Sequence, residues 1–415
     1  MSEFLVIQAL RFGDLLQTKR LVLTLAQRGH VHLLVAAPLV PLARMVYPQT
    51  TVHGIHLHGG TLDINAITEN RKTFQCLRRL DIETVYNCNR AGLTEAICRL
   101  FSPEQVVGHR PCSVSNGGSV RSPWIRLHEK FMQDRSSACL NIVDYWAHFA
   151  TNPIAPNSVN PPAKGEGRGI GVVLSGSVAR RSLPVPMLAE IIKCFFGVYN
   201  GTTVYFFGTP ADEKIAQKLL RILPLKMRGA IKNLAGKTDL LSLCGEIQGL
   251  DALISPDTGT MHLATHFGVP VRAFFLSSAF CHETGPYGEG HLVWQSCPAC
   301  APCLEAQLCN FNLQCLHCFD NTLFYRSLVR AQVAGSDISL PAHVQLWRGS
   351  FDAVGSRMSL MAGLDQNFHG RTQKRAAIAR FLQCELSFGG SLTADMSPTM
   401  NFSDLDWMLP PGRYC

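Results

Sequence analysis

Residues suited to anion binding occur together in the run Asp257-Thr-Gly-Thr-Met-His262, which follows a buried apolar segment. Asp257 or Thr258 can cap the helix that begins here, and Gly259 lets the backbone approach a ligand closely. The amide N–H groups and dipole at a helix amino terminus favour an anion, and His262, one turn into the helix, would reinforce them. The run therefore predicts a site for a phosphate-bearing ligand. A helix that is only capped would explain the same residues.

A carboxylate occupies a similar place near the start of the chain, in the run Arg11-Phe-Gly-Asp-Leu15. Gly13 permits a tight turn after the first predicted strand, and Asp14 then stands at the start of a helix. At the carboxyl edge of a parallel sheet, such a carboxylate could take a proton from a hydroxyl nucleophile. The competing interpretation is that Asp14 only caps its helix.

Two further strand-to-helix turns carry polar side chains. The run Ser175-Gly-Ser-Val-Ala-Arg-Arg181 has small residues that free backbone N–H groups, and its two arginines suit a phosphate. The run Phe207-Gly-Thr-Pro-Ala-Asp-Glu213 ends in two acids that could accept hydrogen bonds from ribose hydroxyls. A solvated arginine pair, and the ordinary preference of acids for helix amino termini, are the alternatives.

The elements that must position these turns alternate between strand and helix patterns. Predicted strands of the first half lie at 4–9, 31–36, 83–87 and 105–108, with helices at 14–28 and 93–100. Predicted strands of the second half lie at 170–174, 203–207, 252–254 and 271–276. Such alternation indicates parallel sheets covered by helices, in two Rossmann-like domains with a ligand cleft between them.

The segment 151–169 interrupts this alternation, and its many Pro, Gly and Asn residues are typical of a linker. The predicted organisation is an N-terminal domain at 1–150, the linker at 151–169, a C-terminal domain at 170–330 and a C-terminal extension of unknown role at 331–415. In the extension the pattern loosens, with one helix-like stretch at 371–383.

The composition narrows the class of protein. The chain has 415 residues, of which 47% are hydrophobic and 16% charged, as in ordinary globular proteins. Its net charge of +8 is spread without runs of like charge, which favours acidic small ligands or an anionic membrane surface over nucleic acid. No stretch approaches the roughly 20 apolar residues of a membrane span, and the start lacks signal-peptide features. We therefore expect a cytoplasmic protein.

Sixteen cysteines are many for that compartment, and six of them crowd between Cys297 and Cys318. Repeated Cys-x-x-Cys spacing in this cluster is typical of a structural zinc or iron site. Reduced thiols or disulfides are equally consistent with it, because spacing does not fix connectivity. A catalytic thiol is not expected.

Taken together, these motifs resemble glycosyltransferase family 9, the heptosyltransferases of bacterial lipopolysaccharide core assembly. The resemblance covers about the first three-quarters of the chain and rests on four runs in the same order: Arg11 to Leu15, Asn233-Leu-Ala-Gly-Lys-Thr-Asp-Leu240, Asp257 to Ala264 with Gly268-Val-Pro270, and Thr284-Gly-Pro286. It implies a GT-B fold, in which the N-terminal domain binds the acceptor and the C-terminal domain binds the nucleotide sugar.

The resemblance also implies roles for single residues. Asp14 matches the general base of the family. Residues that match its donor-binding positions are Arg181, Glu213 (or its neighbour Asp212), Lys237 or Thr238, Asp257, Thr258, Gly259 and His262. Ser175, from the small-residue turn before Arg181, is a further donor-binding candidate. Arg181 stands where the family usually has a lysine, and Leu183 replaces an aromatic residue. The cysteines that would match a family metal site are Cys300, Cys303, Cys309 and Cys315.

The predicted function is an inverting transfer of a heptose or related sugar from a nucleoside-diphosphate sugar, with ADP-heptose as the expected donor, to a lipopolysaccharide core or lipid A-type hydroxyl. The transfer itself needs no cofactor, and zinc or iron at the cysteines would be structural. This prediction includes peripheral contact with the inner membrane surface and excludes a nucleic-acid partner. The alternatives are a protein (autotransporter-type) heptosyltransferase with a metal finger, and a non-catalytic, metal-clipped binding module built from a Rossmann pair.

Overall fold

The computed structural model describes residues 2–57, 63–89, 92–109, 122–176, 178–304 and 308–388. Within these ranges the chain divides into two compact units. The N-terminal unit comprises residues 2–134, 142–159 and 378–388, and the C-terminal unit comprises residues 135–141 and 160–377. The division at residues 159 and 160 lies inside the predicted linker.

A parallel sheet forms the centre of the N-terminal unit. Its strands are β1 (Ser2–Ile7), β2 (Gly29–Ala36), β3 (Thr51–Ile55), β4 (Thr84–Asn87) and β5 (Val106–Gly108). The order across the sheet is β3-β2-β1-β4-β5, and all four pairs are parallel. The chain moves outward from β1 to β3 and then returns to the other side of β1. The topological switch point, where open α/β sheets bind ligands, therefore lies between β1 and β4.

Helices alternate with these strands, as the sequence pattern predicted. They are α1 (Phe12–Gln17), α2 (Lys19–Ala26), α3 (Val40–Val46), α4 (Ile64–Leu77), α5 (Gly92–Cys98), α6 (Pro123–Met132) and α7 (Ile142–Ala147). The single helix predicted at 14–28 is two helices that meet at Thr18. The Thr18 hydroxyl donates to the Leu15 carbonyl at 2.7 Å, a local bond that competes with a continuous helical ladder.

The C-terminal unit contains a larger sheet. Its strands are β6 (Ile170–Val173), β7 (Val204–Phe207), β8 (Ile231–Asn233), β9 (Ala252–Ser255), β10 (Val271–Phe275), β11 (Leu292–Ser296), β12 (Val344–Phe351) and β13 (Ser356–Ala362). Their order is β13-β12-β11-β10-β9-β6-β7-β8. The chain leaves β6 toward β8 and returns on the other side as β9, which places the switch point between β6 and β9.

The helices of this unit follow the same alternation. They are α8 (Val185–Val198), α9 (Glu213–Ile222), α10 (Leu225–Arg228), α11 (Leu240–Ile247), α12 (Gly259–His266), α13 (Cys281–Thr284), α14 (Gln314–His317), α15 (Thr322–Arg330) and α16 (Phe368–Phe388). The last helix contains the stretch predicted at 371–383, and the division between the units falls within it at residues 377 and 378.

The sheet does not end where the C-terminal domain was predicted to end, at residue 330. Strands β12 and β13, from the region predicted as an extension, form an antiparallel hairpin that pairs with β11. The hairpin covers the hydrogen-bonding edge of β11, which would otherwise expose unpaired N–H and C=O groups. Part of the predicted extension therefore belongs to the sheet, whereas its residues 389–415 lie outside the described residues.

Aromatic residues fill the core beside β11. Trp294 is fully buried and stacks on Phe274, with ring centroids 5.4 Å apart. Its indole Nε1 donates to the Ser327 hydroxyl at 3.0 Å, so the one polar atom of this side chain is satisfied. In the part of the chain that the structure describes, no helix is both long and apolar enough to span a bilayer.

Candidate active site

Asp14 lies in the first turn of α1, directly after the loop that leaves β1. It is 9% exposed, and its Oδ2 accepts a hydrogen bond from the Arg11 backbone N–H at 3.0 Å. The capping role considered for this residue is therefore present. Its position at the carboxyl end of β1 also places it at the switch point of the N-terminal sheet, where a general base would have to be. The catalytic role stays a prediction.

A network of buried side-chain amides adjoins this switch point, and the sequence pattern did not reveal it. Asn89 Oδ1 accepts from the Ala9 backbone N–H at 2.9 Å, and its Nδ2 donates to Gln8 Oε1. Asn87, at the end of β4, accepts from the Asn89 N–H at 3.1 Å. All three amide side chains are 1% exposed or less. The network ties the ends of β1 and β4 together and fixes the floor of the switch point.

The switch point of the C-terminal sheet brings together two of the predicted donor-binding turns. Arg181 follows β6 and Asp257 follows β9, and Arg181 Nη1 lies 3.3 Å from Asp257 Oδ2. Their side chains are 6% and 7% exposed. The Thr284 hydroxyl, from the predicted Thr-Gly-Pro motif, donates to the same carboxylate oxygen at 3.2 Å. Three separate motifs thus meet at one buried carboxylate.

The start of α12 supplies the amide groups that the sequence predicted. Thr258 is the N-cap residue, with an extended backbone, and its hydroxyl accepts from the Met261 N–H at 3.4 Å. A second contact, 3.0 Å from the Ser255 hydroxyl, holds this side chain at the helix start. Gly259 and Thr260 are the first residues of α12, and amides in this position have no partner within the helix. They can therefore donate to an anion.

His262 is buried one turn into α12, and this changes the form in which it could act. Burial lowers the pKa of its imidazole to about 4, although the Asp257 carboxylate opposes this shift. The ring is therefore neutral at pH 7, and it can contribute a hydrogen bond but not a fixed positive charge. His262 could therefore strengthen anion binding in two ways. It could donate a hydrogen bond to the anion, or it could take up a proton when the anion binds.

The remaining predicted donor residues are engaged in local hydrogen bonds. Ser175 donates to Asp212 Oδ1 at 2.6 Å, while Asp212 Oδ2 accepts from the Thr209 N–H at 2.7 Å. Glu213 accepts from the Asn233 side chain at 2.9 Å. Lys237 Nζ donates to the Asn233 carbonyl at 3.0 Å.

Asn233 is the last residue of β8 and the first residue of the Asn-Leu-Ala-Gly motif. Its hydrogen bond to Glu213 links this motif to the turn after β7. Thr238 is half-buried just before α11, whose N-cap is Asp239. The structure thus places Ser175, Glu213, Lys237 and Thr238 after β6, β7 and β8, at the same edge of the sheet as Asp257. Whether these side chains contact a donor remains a prediction.

A second buried ion pair in this unit was not predicted. Arg135 donates three hydrogen bonds to Glu283: Nε to Oε1 at 3.0 Å and to Oε2 at 3.2 Å, and Nη2 to Oε2 at 2.6 Å. Arg135 precedes the linker in sequence but belongs to the C-terminal unit, and its charge interacts with Asp257. Nearby, the buried hydroxyls of Ser277 and Ser278 make no hydrogen bond to any described residue. They are polar groups that a ligand at this edge could satisfy.

The four cysteines predicted as metal ligands are free thiols, and Cys300 and Cys303 both interact electrostatically with Cys315. Burial raises the pKa of Cys300, and the neighbouring Cys315 and Cys309 raise it further. The Cys309 sulfur accepts from the Leu313 N–H at 3.3 Å, and such bonds lower the pKa of that thiol. Among the described residues, no three of these sulfur atoms lie within 4.8 Å of one another. The metal site at these cysteines stays a prediction.

Part of the C-terminal unit, including the start of α12, is similar to proteins of a known family. Residues 197–313 match the family model of glycosyltransferase family 9 (heptosyltransferase). Lipooligosaccharide heptosyltransferase 2 of Haemophilus influenzae is 32% identical over 88 residues, which is 21% of this chain and 24% of that protein. Its namesake from Campylobacter jejuni is 28% identical over 120 residues, 29% of this chain and 33% of that protein. The chain thus matches about a quarter to a third of these relatives' length, and the predicted family resemblance is confirmed.

Solved structures extend the likeness to both units. The chain is similar to Escherichia coli ADP-heptose lipopolysaccharide heptosyltransferase II, with a TM-score of 0.51, 18% identity and coverage of 71% of this chain and 90% of that one. A family 9 glycosyltransferase from Veillonella parvula gives a TM-score of 0.54 at 16% identity, covering 71% and 86%. At these identities the likeness concerns the fold, and it confirms the predicted α/β, GT-B fold class.

Proposed function

We propose that this chain, whose residues 197–313 match the family model of glycosyltransferase family 9, is an inverting glycosyltransferase that moves a heptose or related sugar from a nucleoside-diphosphate sugar to a hydroxyl group. The observation that carries the proposal is the convergence on Asp257 of Arg181, Thr284 and the start of α12. Two turns predicted to bind the donor, and the Thr-Gly-Pro motif of the family resemblance, thus come together at Asp257 after the ends of the strands, where open α/β sheets bind ligands.

The donor diphosphate would be held mainly by backbone amides. Arg181 is already neutralised by Asp257, and Arg135 by Glu283, so these four residues together carry no net charge. The amides of Gly259 and Thr260 and the dipole of α12 therefore supply the attraction for an anion. Arg181 could then turn part of its planar fork from Asp257 to a phosphate oxygen. These donors stabilise charge that grows as the glycosidic bond breaks.

The acceptor hydroxyl would be activated by Asp14. As the hydroxyl oxygen attacks the anomeric carbon, the bond from that carbon to the β-phosphate oxygen breaks, and the nucleoside diphosphate leaves. The hydroxyl proton passes to Asp14, and attack opposite the leaving group inverts the anomeric configuration. A carboxylate that also caps a helix can serve in this way, since one carboxylate offers about four acceptor positions.

ADP-heptose is the proposed donor, and a lipopolysaccharide core or lipid A-type molecule is the proposed acceptor. The names of the Haemophilus and Campylobacter relatives support this choice, as does an Escherichia coli heptosyltransferase of the same fold solved with ADP. An acceptor of this class would place the enzyme in the cytoplasm, in peripheral contact with the inner membrane surface. The test of the donor is thermal unfolding with ADP, GDP and UDP and their sugars, because a ligand that binds the native state raises the unfolding temperature.

The decisive variant is Asp14→Asn, with Asp63→Asn as its matched control. Asp63 caps α4 in the same unit, where it accepts from the Ala66 N–H at 2.7 Å, but it does not follow β1. We expect Asp14→Asn to lose at least about a hundredfold of the transfer rate, as for removal of a general base, while ADP still raises the unfolding temperature. Asp63→Asn should transfer sugar at the wild-type rate.

Equal rates in the two variants would reject Asp14 as the base. Wild-type protein that binds ADP but transfers sugar to neither lipid nor protein acceptors would favour the non-catalytic binding module. Transfer to a protein acceptor alone would favour the protein heptosyltransferase.

A further inference from the structure

A cluster of histidines and one glutamate lies at the amino-terminal edge of the N-terminal sheet. Glu3 is the second residue of β1, and His30 and His32 are near the start of β2. In the parallel register Glu3 lies beside His30, and His32 lies beside Thr51 at the start of β3. Side chains two residues apart on a strand share a face, so this register places all three ligand-type groups on one face.

The distances within the cluster approach those of a metal site. His32 Nε2 lies 2.6 Å from Glu3 Oε2. One ligand atom from each of Glu3, His30 and His32 lies within 4.8 Å of the other two. The ligand atoms of a tetrahedral ion with bonds of about 2.0–2.1 Å lie roughly 3.4 Å from one another. Small side-chain rotations would therefore bring the three ligand atoms to the distances that such an ion requires. His53 Nε2 adjoins it, 3.0 Å from His32 Nδ1.

A histidine paired with a carboxylate does not by itself indicate a metal. His56 and Glu69 in the same unit also lie 2.6 Å apart, with exposed fractions of 35% and 62%. Among the described residues, the Glu3 cluster is the one place where three such groups converge. The His32 side chain is 6% exposed, whereas Glu3 is 32% exposed. The cluster is thus anchored in the core and remains open to an ion from solvent.

We propose that Glu3, His30 and His32 bind one divalent transition-metal ion of borderline hardness, with Zn²⁺ as the first choice. Two imidazoles and a carboxylate suit such ions better than they suit Mg²⁺ or Ca²⁺, which prefer all-oxygen sites. A water molecule would provide the fourth ligand, while His53 Nε2, 3.0 Å from His32 Nδ1, would fix the orientation of the His32 ring from its other nitrogen. The ion would join β1 to β2 across residues that are 27 or more positions apart in the chain, which stabilises the folded state.

The location assigns this ion a structural role. Glu3 is at the amino-terminal end of β1, whereas Asp14 follows the carboxyl end of the same strand. The two sites therefore lie at opposite edges of the sheet, and the metal would not touch the reacting groups. This inference does not depend on the proposed sugar transfer.

The test uses untagged, full-length protein that has been freed of metal with a chelator, because a histidine tag would bind the same ions. Zn²⁺ is titrated by calorimetry into wild type, the double variant His30→Gln with His32→Gln, and the control His56→Gln. All three proteins keep every cysteine, so any zinc bound by thiols contributes equally. We expect the double variant to bind one ion fewer per chain and to lose the zinc-dependent rise in unfolding temperature, while the control matches wild type.

Equal stoichiometry in wild type and double variant would overturn the proposal. Should the double variant fail to fold, Glu3→Gln keeps both histidines and is expected to weaken binding by on the order of tenfold or more. Unchanged affinity in Glu3→Gln would count against the site. The difference between the Co²⁺ spectra of wild type and the double variant provides a second readout, since a site of nitrogen and oxygen ligands adds no thiolate charge-transfer absorption. A difference spectrum that contains such a band would count against the site.

Discussion

The pairing of Arg181 with Asp257 makes a quantitative prediction about the C-terminal unit. At 3.3 Å and an effective dielectric constant of about 20, two unit charges attract by about 5 kcal/mol. Desolvation of both charges offsets much of this attraction. Removing one partner of a buried pair leaves the other charge buried, at a cost of about 3–5 kcal/mol. In Arg181→Met, Asp257 keeps its bond from Thr284, so we expect the lower end of this range, about 3 kcal/mol. Asp257→Asn leaves the Arg181 charge buried and should cost a similar amount.

The double variant should be less destabilised than the sum of the two single variants, because it leaves neither charge buried without its partner. We expect a coupling free energy of about 2 kcal/mol in this double-mutant cycle. The assay is unfolding in urea, followed by hydrogen exchange of peptides that cover 252–262, since a chain of two units need not unfold in one step. These peptides report on β9 and α12 alone.

Arg180→Met provides the matched control for this cycle. Arg180 is the adjacent residue, but its guanidinium lies 3.2 Å from the Cys303 sulfur and 3.5 Å from the Leu304 carbonyl. Its effect should add to that of Asp257→Asn within about 0.5 kcal/mol. If the free-energy losses of Arg181→Met and Asp257→Asn also add within about 0.5 kcal/mol, Arg181 and Asp257 are not energetically coupled and the prediction is wrong.

Three further predictions concern pH, the sheet edge and the core. Burial lowers the pKa of His262 to about 4, below its value of about 6.5 in the unfolded chain. Its neutral form therefore contributes stability that is complete above pH 6.5 and falls by about 3 kcal/mol as the pH approaches 4. Urea midpoints at pH 7 and 4.5 should diverge less in His262→Gln than in wild type, and equal divergence would contradict this. A chain that ends at residue 331 lacks β12 and β13 and exposes the edge of β11, so it should aggregate in light-scattering assays while the full chain does not. Trp294→Ala should cost about 3–5 kcal/mol in urea unfolding, because it leaves a cavity beside Phe274; a loss below 1 kcal/mol would show that the core refills.

The order of elements and the position of the site turns could be read from the sequence. Buried strands are marked by apolar runs such as Ala252-Leu-Ile254, and the turn residues after them are marked by Asp, Thr and Gly. Both signals are local, since they reflect propensity and capping within a few residues. For that reason the start of α12 at Gly259, with Thr258 as its cap, lies within one residue of its predicted place.

Contacts between distant segments could not be read in the same way. The hairpin β12–β13 joins a sheet whose other strands are parallel. The sequence after residue 330 shows only a weak strand and helix pattern, which gave no indication of this hairpin. Arg135 precedes the linker in sequence, yet it pairs with Glu283 inside the C-terminal unit. The Glu3 cluster depends on the register between β1 and β2, and a shift of one residue would turn His30 and His32 to the other face.

The sequence by itself determined which residues follow each strand, and hence which side chains stand at the ligand-binding edge of each sheet. Only the tertiary structure decided the state of those side chains. It neutralises Arg181 with Asp257, holds His262 in its uncharged form by burial, and engages Ser175 with Asp212. The physical reason is that charge state and hydrogen bonding depend on groups brought together from segments far apart in the chain, whose meeting no local pattern encodes.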